Sequence, residues 1–280
     1  MGSDGTPVPA RDTLRDELFA AIRTFQVTAA ISFQQAGVVA GMDRAKAEAM
    51  RLGLEMTAYA RDGQAVGEKE VVARLVGGPA QVTAAEEVLL GVLAKTSGIA
   101  TASRRMAERA GDRIRVVSGA WKKMPLAIKD QVREAIAAGG AAVRILDEPF
   151  LYLDKNHVRI FGGVAETLAG VQGVASERVR VVQLRGQIRP IRAEAEEAVG
   201  GGAGVLMVDT GRVEDLQAVL AYLTSTGRRA SVKVAFAGGV TLADLPTLVE
   251  QGLDIVDVGA AIVDAPLLEV RLDVEAVRGR

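Results

Sequence analysis

The sequence predicts an α/β protein in two parts, an α+β domain over residues 11–112 and a parallel β/α barrel over residues 113–266. From Arg113 onward, short apolar segments alternate regularly with helical ones, as expected for a parallel sheet long enough to close into a barrel. These apolar segments are β-rich and bounded by glycine or charge, which is typical of strands buried on both faces. Before Arg113 the strand-like segments instead alternate in polarity, which indicates a sheet with helices packed against it.

Composition limits the classes of function. Of the 280 residues 49% are hydrophobic, which is ample for a core, and the net charge of −1 gives no sign of a nucleic-acid or membrane-surface partner. No segment approaches the roughly 18 to 20 apolar residues of a membrane span, and no secretory signal is visible. The absence of cysteine excludes disulfides and thiolate chemistry. We expect a soluble cytoplasmic protein in which residues 1–10 form a flexible leader.

The first part begins with a helix, because Leu14, Leu18 and Ile22 recur at helical spacing. Its predicted elements are, in order, a helix over Arg11–Phe25, strands over Gln26–Phe33 and Gly37–Gly41, a helix over Arg44–Leu52 capped by Asp43, and strands over Leu54–Ala60 and Glu70–Val76. A long helix follows over Ala84–Ala110, with Thr83 as its N-cap. Within it, Thr96–Gly98 predicts either a kink or close packing.

The second part alternates strand and helix to near its end, and residues 267–280 are expected to return to the first part. The predicted strands are Ile114–Val117, Ala142–Leu146, Phe150–Leu153, Val179–Leu184, Gly204–Asp209, Val232–Ala235 and Ile255–Val258. The predicted helices are Ala127–Ala138, Val164–Val171, Arg192–Val199, Val213–Leu223 and Leu242–Gln251.

The candidate functional residues follow from one rule, that ligands of parallel β/α sheets bind at the carboxyl ends of the strands. The polar and aromatic side chains at or just after these ends are Trp121, Lys122, Lys123, Asp154, Lys155, Asn156, His157, Gln183 and Asp209. Arg144 is expected inside its own strand. Cations and acids are therefore predicted to converge on one rim.

Two late glycine turns predict a phosphate site. Gly238 and Gly239 lie between a strand and a helix start, where backbone N–H groups and the helix dipole favour an anion. Gly259 and Ala260 follow the last strand, and loops after the last two barrel strands are the recurrent phosphate site of this architecture. Ordinary turns between β and α units are the alternative interpretation.

Other candidates have a structural alternative as well. Asp154 and Asp209 are candidates to hold Mg²⁺ together with substrate phosphates, or each is a solvated loop acid or a helix cap. His157, the one histidine of the chain, is catalytic or structural, and no acid near it in sequence obviously orients it. Trp121 packs in the protein or stacks on a ligand. The helix carrying Glu194, Glu196 and Glu197 is interpreted as having a solvated acidic face.

The order of motifs resembles the quinolinate phosphoribosyltransferase family. The matching segments are Ala36–Gly41, Asp62–Val66, Ser97–Thr101, Ala138–Gly140, Arg144, Asn156–His157, Met207–Asp209, Gly238–Thr241 and Val258–Ala260. The resemblance implies an incomplete barrel of the type II phosphoribosyltransferase kind and a homodimer or larger assembly with shared sites. It also implies phosphoribosyl transfer from PRPP to the quinolinate nitrogen with Mg²⁺, followed by loss of a carboxylate.

The departures from the family pattern lie where the acceptor would bind. An arginine of the family is Trp121 here, while the lysine after it remains as Lys122. A histidine before Arg144 is lost, and an arginine near the start of the long helix is Glu87. A barrel glutamate is Gln183. Exchanging one carboxylate-binding arginine for an acid alters binding by roughly 4 kcal/mol at 4 Å and an effective dielectric of about 20.

We therefore predict a phosphoribosyltransferase-like enzyme whose nitrogen-ring substrate is not quinolinate. Lys122, Arg144, Lys155 and His157 are the predicted catalytic residues, and Trp121, Glu87, Gln183 and Asn156 the predicted substrate-binding residues. Two alternatives stay open, a nucleotide lyase or hydrolase on the same scaffold and a non-catalytic binder or partner subunit.

Overall fold

The computed structural model describes residues 13–279, which fall into two compact units. Of the described residues, one unit contains residues 13–98 and 266–279, and the other contains Ile99–Ala265. The boundary thus lies at residue 98, whereas the sequence places it at residue 112. The leader predicted over residues 1–10 lies outside the described residues. No helix within residues 13–279 is long and apolar enough to cross a membrane.

The first unit is built on a four-stranded antiparallel sheet. Its elements are α1 (Thr13–Leu18), β1 (Gln26–Phe33), β2 (Gly37–Val38), α2 (Met42–Arg51), β3 (Glu55–Ala58), β4 (Ala65–Val66), β5 (Glu70–Gly77) and β12 (Val270–Arg278). The strand order is β12-β1-β5-β3, and β2 pairs separately with β4. Alternating apolar residues of β1, such as Ile31 and Phe33, are fully buried in its core. The predicted cap Asp43 lies inside α2, whose N-cap is Gly41.

Helix α3 (Pro79–Ala110) runs through the predicted interruption without a break. In the first unit, the Thr96 hydroxyl donates to the Ala40 carbonyl oxygen at 2.6 Å, and the Ser97 hydroxyl accepts from the Ala40 N–H at 3.0 Å. A Cβ on Gly98 would lie 2.1 Å from the Pro266 carbonyl oxygen. Close packing, rather than a kink, therefore explains the small residues at this point.

The second unit is built on a six-stranded parallel sheet with the order β6-β11-β10-β9-β8-β7. Its strands are β6 (Arg115–Val117), β7 (Phe150–Leu153), β8 (Val179–Leu184), β9 (Val205–Asp209), β10 (Lys233–Ala237) and β11 (Ile255–Asp257). Its helices are α4 (Lys129–Ala138), α5 (Lys155–Phe161), α6 (Val164–Gly170), α7 (Ile191–Gly200), α8 (Val213–Ser225), α9 (Leu245–Glu250) and α10 (Ala260–Val263). The predicted α/β class is confirmed by these two sheets.

The strand predicted over Ala142–Leu146 is wrong. Ala142 makes one parallel bridge with Val117 of β6, after which the chain bends. Ile145 and Leu146 are both buried in the barrel core, although they are consecutive, and an alternating strand cannot direct two consecutive side chains to one face. Within the described residues no ladder joins this segment to β7, so the barrel is incomplete.

Candidate functional site

Three carboxylates of the second unit lie on the same rim as the partly buried phenol of Tyr152. Asp154 follows β7, Asp209 ends β9 and Asp257 ends β11, so all three lie at carboxyl ends of parallel strands. Burial raises the pKa of Tyr152 in β7, and the charges of Asp257, Asp209 and Asp154 raise it further. We call this rim the acidic mouth after its three acids, of which Asp209 is paired with Arg185, while Lys122 lies beside the Tyr152 ring. The sequence predicted Asp154 and Asp209 in this site but did not single out Asp257 or Tyr152.

Asp209 is held by two side chains from the end of β8. Its Oδ2 accepts hydrogen bonds from Gln183 Nε2 at 2.5 Å and from Arg185 Nη1 at 2.8 Å. Gln183 also accepts a hydrogen bond from the backbone N–H of Lys155 at 2.7 Å, so it links the start of α5 to the end of β9. The sequence rule on strand ends places Gln183 and Asp209 together. It missed Arg185, although this residue directly follows β8.

Asp154, Asn156 and His157 form the start of α5. Asp154 Oδ1 accepts from the backbone N–H groups of Asn156 at 2.8 Å and His157 at 3.1 Å, and it lies 2.8 Å from His157 Nδ1. Partial burial acts to raise the pKa of Asp154, but the hydrogen bonds from His157 and Asn156 outweigh it and the pKa is lowered. The expectation that no nearby acid orients His157 is therefore wrong. The carboxylate of the N-cap does so. The side chains of Lys155 and Asn156 are exposed.

Trp121 and Lys122 lie on a short 3₁₀ turn after β6. Trp121 Nε1 donates to the Val143 carbonyl oxygen at 3.1 Å, and the Arg133 guanidinium lies 4.7 Å from the indole centroid. Lys122 Nζ lies 5.8 Å from the Trp121 ring and 5.5 Å from the Tyr152 ring. The predicted combination of an aromatic ring and cations is thus present, and Lys122 connects this turn to the acidic mouth.

The turns after β10 and β11 contain the four residues predicted to bind phosphate, and the structure gives different reasons for the glycines in them. Gly238 has φ +114°, and a Cβ there would lie 2.4 Å from the backbone nitrogen of Gly211, so close contact between two loops explains this glycine. Gly239 has φ +81° and nothing within 4 Å of its Cβ position. Gly259 and Ala260 lie at the start of the four-residue α10. Phosphate binding at these turns stays a prediction.

One predicted site residue of the second unit, Arg144, does not lie at this rim. The guanidinium of Arg144 lies 5.2 Å from the ring centroid of Phe150, the first residue of β7, which is at the amino end of that strand. Glu87 lies on the part of α3 that belongs to the first unit, where Arg15 Nη2 donates to Glu87 Oε1 at 2.9 Å. The wrong strand prediction over Ala142–Leu146 explains the misplacement of Arg144.

Glu194 is not part of a solvated helix face. It is 3% exposed, and its Oε2 accepts from the backbone N–H groups of Arg185 at 2.9 Å and Gly186 at 2.8 Å. Its Oε1 lies 3.5 Å from the N–H of Ile188. This carboxylate therefore holds the loop between β8 and α7, and with it the backbone of the residue that contacts Asp209.

A cleft of about 750 Å³ lies at the other end of the barrel, at the amino ends of the strands. It is bordered by Val179, Val205 and Lys233, and by an ion pair in which Arg229 Nη2 lies 2.9 Å from Asp254 Oδ2. The acids, amides and aromatic rings described above lie at the carboxyl ends of the strands instead. We therefore place the candidate site by its functional side chains and not by the size of the cleft.

Comparisons with known proteins cover both units. Residues 99–273 match the family model described as quinolinate phosphoribosyl transferase, C-terminal domain, and residues 16–97 match the N-terminal domain of the same family. A probable nicotinate-nucleotide pyrophosphorylase (carboxylating) of Methanothermobacter thermautotrophicus is 26% identical over 261 residues, covering 91% of each chain. The human nicotinate-nucleotide pyrophosphorylase (carboxylating) is 27% identical over 247 residues, covering 87% of this chain and 81% of its own.

Solved structures share the fold. The nicotinate-nucleotide pyrophosphorylase from Pyrococcus furiosus superposes with a TM-score of 0.80 at 22% identity, covering 99% of this chain and 76% of that one. The enzyme of the same name from Francisella tularensis superposes with a TM-score of 0.76 at 19% identity, covering 96% and 98%. At such identities these two likenesses establish the fold alone.

Proposed function

Because the chain belongs to the quinolinate phosphoribosyltransferase family, we propose that it transfers the phosphoribosyl group of PRPP to a ring nitrogen of an acceptor other than quinolinate. The family match over both units supports the donor and the reaction class. Trp121, which stands where the family resemblance implies an arginine, is the single observation that carries the choice of acceptor.

The donor end of the proposed site combines cations with open backbone. Lys122 and Lys155 supply positive charge near the carboxyl ends of β6 and β7, where a pyrophosphate would be neutralised. Gly239 leaves open space beside its backbone, so a phosphate can approach the turn after β10. Gly259 and Ala260 offer a second such turn after the neighbouring strand β11.

Asp154 and Asp209 are the two carboxylates that would hold Mg²⁺. Asp154 uses Oδ1 and Asp209 uses Oδ2 for hydrogen bonds, and the other oxygen of each has no such partner among the described residues. Residues 13–279 contain no cluster of three or more acids or histidines suited to a metal, so the phosphates of PRPP would complete the coordination. When held by these carboxylates, Mg²⁺ would supply positive charge next to the pyrophosphate group of PRPP.

A dianionic acceptor is poorly matched to this mouth. Each pair of like charges about 4 Å apart costs roughly 4 kcal/mol at an effective dielectric of about 20. Such a cost weakens binding of the acceptor by roughly several hundredfold. Trp121 occupies a position where the family resemblance implies an arginine, and Glu87 occupies another. If the chain forms the homodimer that the resemblance also implies, Glu87 would add a further negative charge to the neighbouring subunit's site.

The alternatives of a lyase, a hydrolase or a non-catalytic binder have no observation that favours them. The lyase and hydrolase interpretations use His157 as acid or base, and its Nδ1 is held against the N-cap carboxylate of Asp154 at 2.8 Å. A helix cap accounts for that contact without any proton transfer.

The test is a pyrophosphate-release assay with PRPP, Mg²⁺ and a panel of pyridines and other nitrogen rings, quinolinate included. We expect turnover with a ring other than quinolinate, and stabilisation of the protein by PRPP in a thermal-shift assay that is larger with Mg²⁺ than without it. Quinolinate turnover at roughly 1 per second or faster would refute the choice of acceptor. Absence of any stabilisation by PRPP would refute the transferase itself.

A matched pair of variants tests the donor site. Lys122→Ala should weaken PRPP binding at least tenfold, because it removes a cation that lies near the Trp121 and Tyr152 rings at the rim. Lys123→Ala, on the same turn and exposed, is the control for loss of one positive charge. Equal effects of the two substitutions would contradict the assigned role of Lys122.

A further inference from the structure

Asp257 is a carboxylate that the fold does not neutralise directly. Its Oδ1 accepts the backbone N–H of Gly119 at 3.0 Å, and its Oδ2 has no hydrogen-bond donor among residues 13–279. It forms no ion pair within 4.0 Å in the described part of the chain. Lys122 and Lys123 act on it only through space. A largely buried carboxylate whose second oxygen accepts no hydrogen bond destabilises the folded state through its desolvation, unless a further group binds it.

The structural task of Asp257 does not require a charge. The Gly119 N–H needs one acceptor, and an asparagine or serine oxygen would satisfy it at a lower cost of desolvation. Burial raises the pKa of Asp257, which agrees with the unfavourable setting of the ionised form. The negative charge and the second oxygen therefore remain to be explained.

The position of Asp257 brings it to the proposed acceptor site. Gly119 directly precedes the turn that carries Trp121 and Lys122, so the hydrogen bond fixes Asp257 to the base of that turn. Asp257 is also the carboxylate with the largest charge effect on Tyr152, whose ring contacts Lys122. The free Oδ2 therefore belongs to the same part of the rim as these aromatic side chains.

We propose that Asp257 is a specificity-determining residue that accepts a hydrogen bond from an N–H substituent of the acceptor ring and rejects ring carboxylates. An amino or carboxamide group supplies such a donor, whereas a carboxylate would face a like charge. This inference rests on the proposed function. In the transfer itself the ring nitrogen forms a bond to C1 of the ribose, the bond from C1 to the pyrophosphate oxygen breaks, and pyrophosphate leaves with that electron pair. Asp257 orients the ring and exchanges no proton.

The chain contains one tryptophan, so the fluorescence of Trp121 reports ring binding at this site. The experiment titrates the full-length protein, saturated with PRPP, with pyridine-3-carboxamide and with pyridine-3-carboxylate. Asp257→Asn keeps an oxygen for the Gly119 N–H and removes the charge. Asp264→Asn, which changes an exposed acid just beyond α10, is the control for net charge.

We expect the unsubstituted protein to bind the carboxamide at least tenfold more tightly than the carboxylate, and Asp257→Asn to reduce this preference at least tenfold, or about 1.4 kcal/mol. Asp264→Asn should leave the preference unchanged. Equal binding of the two rings, an unshifted preference in Asp257→Asn, or no quenching by either ring overturns the inference. Thermal stabilisation by PRPP, measured in parallel, then decides whether the proposed transferase function also fails.

Discussion

Replacing Glu194 by alanine removes the carboxylate that holds the loop between β8 and α7. Two well-formed hydrogen bonds are lost, from the N–H groups of Arg185 at 2.9 Å and Gly186 at 2.8 Å, along with the longer contact to Ile188. Each unpaired, partly buried N–H costs about 1–2 kcal/mol, so the free energy of unfolding should fall by about 3 kcal/mol. For a protein of this size that corresponds to a fall in Tm of roughly 6–12 °C.

The same substitution should reach the candidate site. Without Glu194 the backbone of Arg185 is no longer fixed, and its guanidinium loses the position from which it donates to Asp209 at 2.8 Å. We therefore expect Glu194→Ala to weaken PRPP binding as well. Glu194→Gln keeps one acceptor oxygen and should lose less than half of the stability lost by the alanine variant.

Thermal unfolding and urea denaturation measure the stability change, with Glu196→Ala as the matched control because Glu196 is an exposed acid on the same helix. The control should change Tm by less than about 2 °C, as surface substitutions usually do. If Glu194→Ala unfolds within 2 °C of the control, the buried carboxylate is not holding the loop and the reasoning is refuted.

Two further predictions concern the glycine turn and the acidic mouth. Gly238→Ala should lower the free energy of unfolding, measured by urea denaturation, by at least about 3 kcal/mol, because the added Cβ would clash with the backbone of Gly211. Gly239→Ala should lower it by about 1 kcal/mol, because only the positive φ opposes a side chain there. Equal losses in the two variants would contradict the packing argument. For Asp257, burial raises the pKa above its usual 3.8, so the folded state holds the proton more tightly than the unfolded chain. The ionised carboxylate then opposes folding as pH rises above about 3.8, with Lys122 partly offsetting it. As pH rises above about 3.8, the Tm of the unsubstituted protein should therefore fall relative to that of Asp257→Asn. A Tm difference between the two proteins that does not change with pH would contradict the assigned burial of this charge.

Much of the candidate site was predictable from local sequence. The rule that ligands bind at the carboxyl ends of parallel strands selected Gln183 and Asp209, and the structure joins them by a hydrogen bond. Their strands, β8 and β9, are buried on both faces, so composition alone indicates where each ends. The cap at Asp154 is equally local, because its partners lie two and three residues further on.

Other members of the site depend on distant contacts. Glu194 shares its helix and its acidic neighbours with Glu196, and only the loop that packs over it separates a buried carboxylate from an exposed one. Asp257 lies 138 residues from Gly119, whose N–H it accepts. Arg144 was misplaced because Ile145 and Leu146 enter one core together and end the alternation that a strand requires.

The sequence by itself determined the α/β class, most of the order of strands and helices and the ends of β8 and β9, because hydrophobic periodicity acts over a few residues. Only the tertiary structure decided which charged side chains are buried and which of them form hydrogen bonds or ion pairs with one another. The free energy of a charge depends on solvent exclusion and on partners brought together by the whole fold, and neither is encoded in neighbouring residues. The acidic mouth around Tyr152, with Asp257 at its edge, is the result.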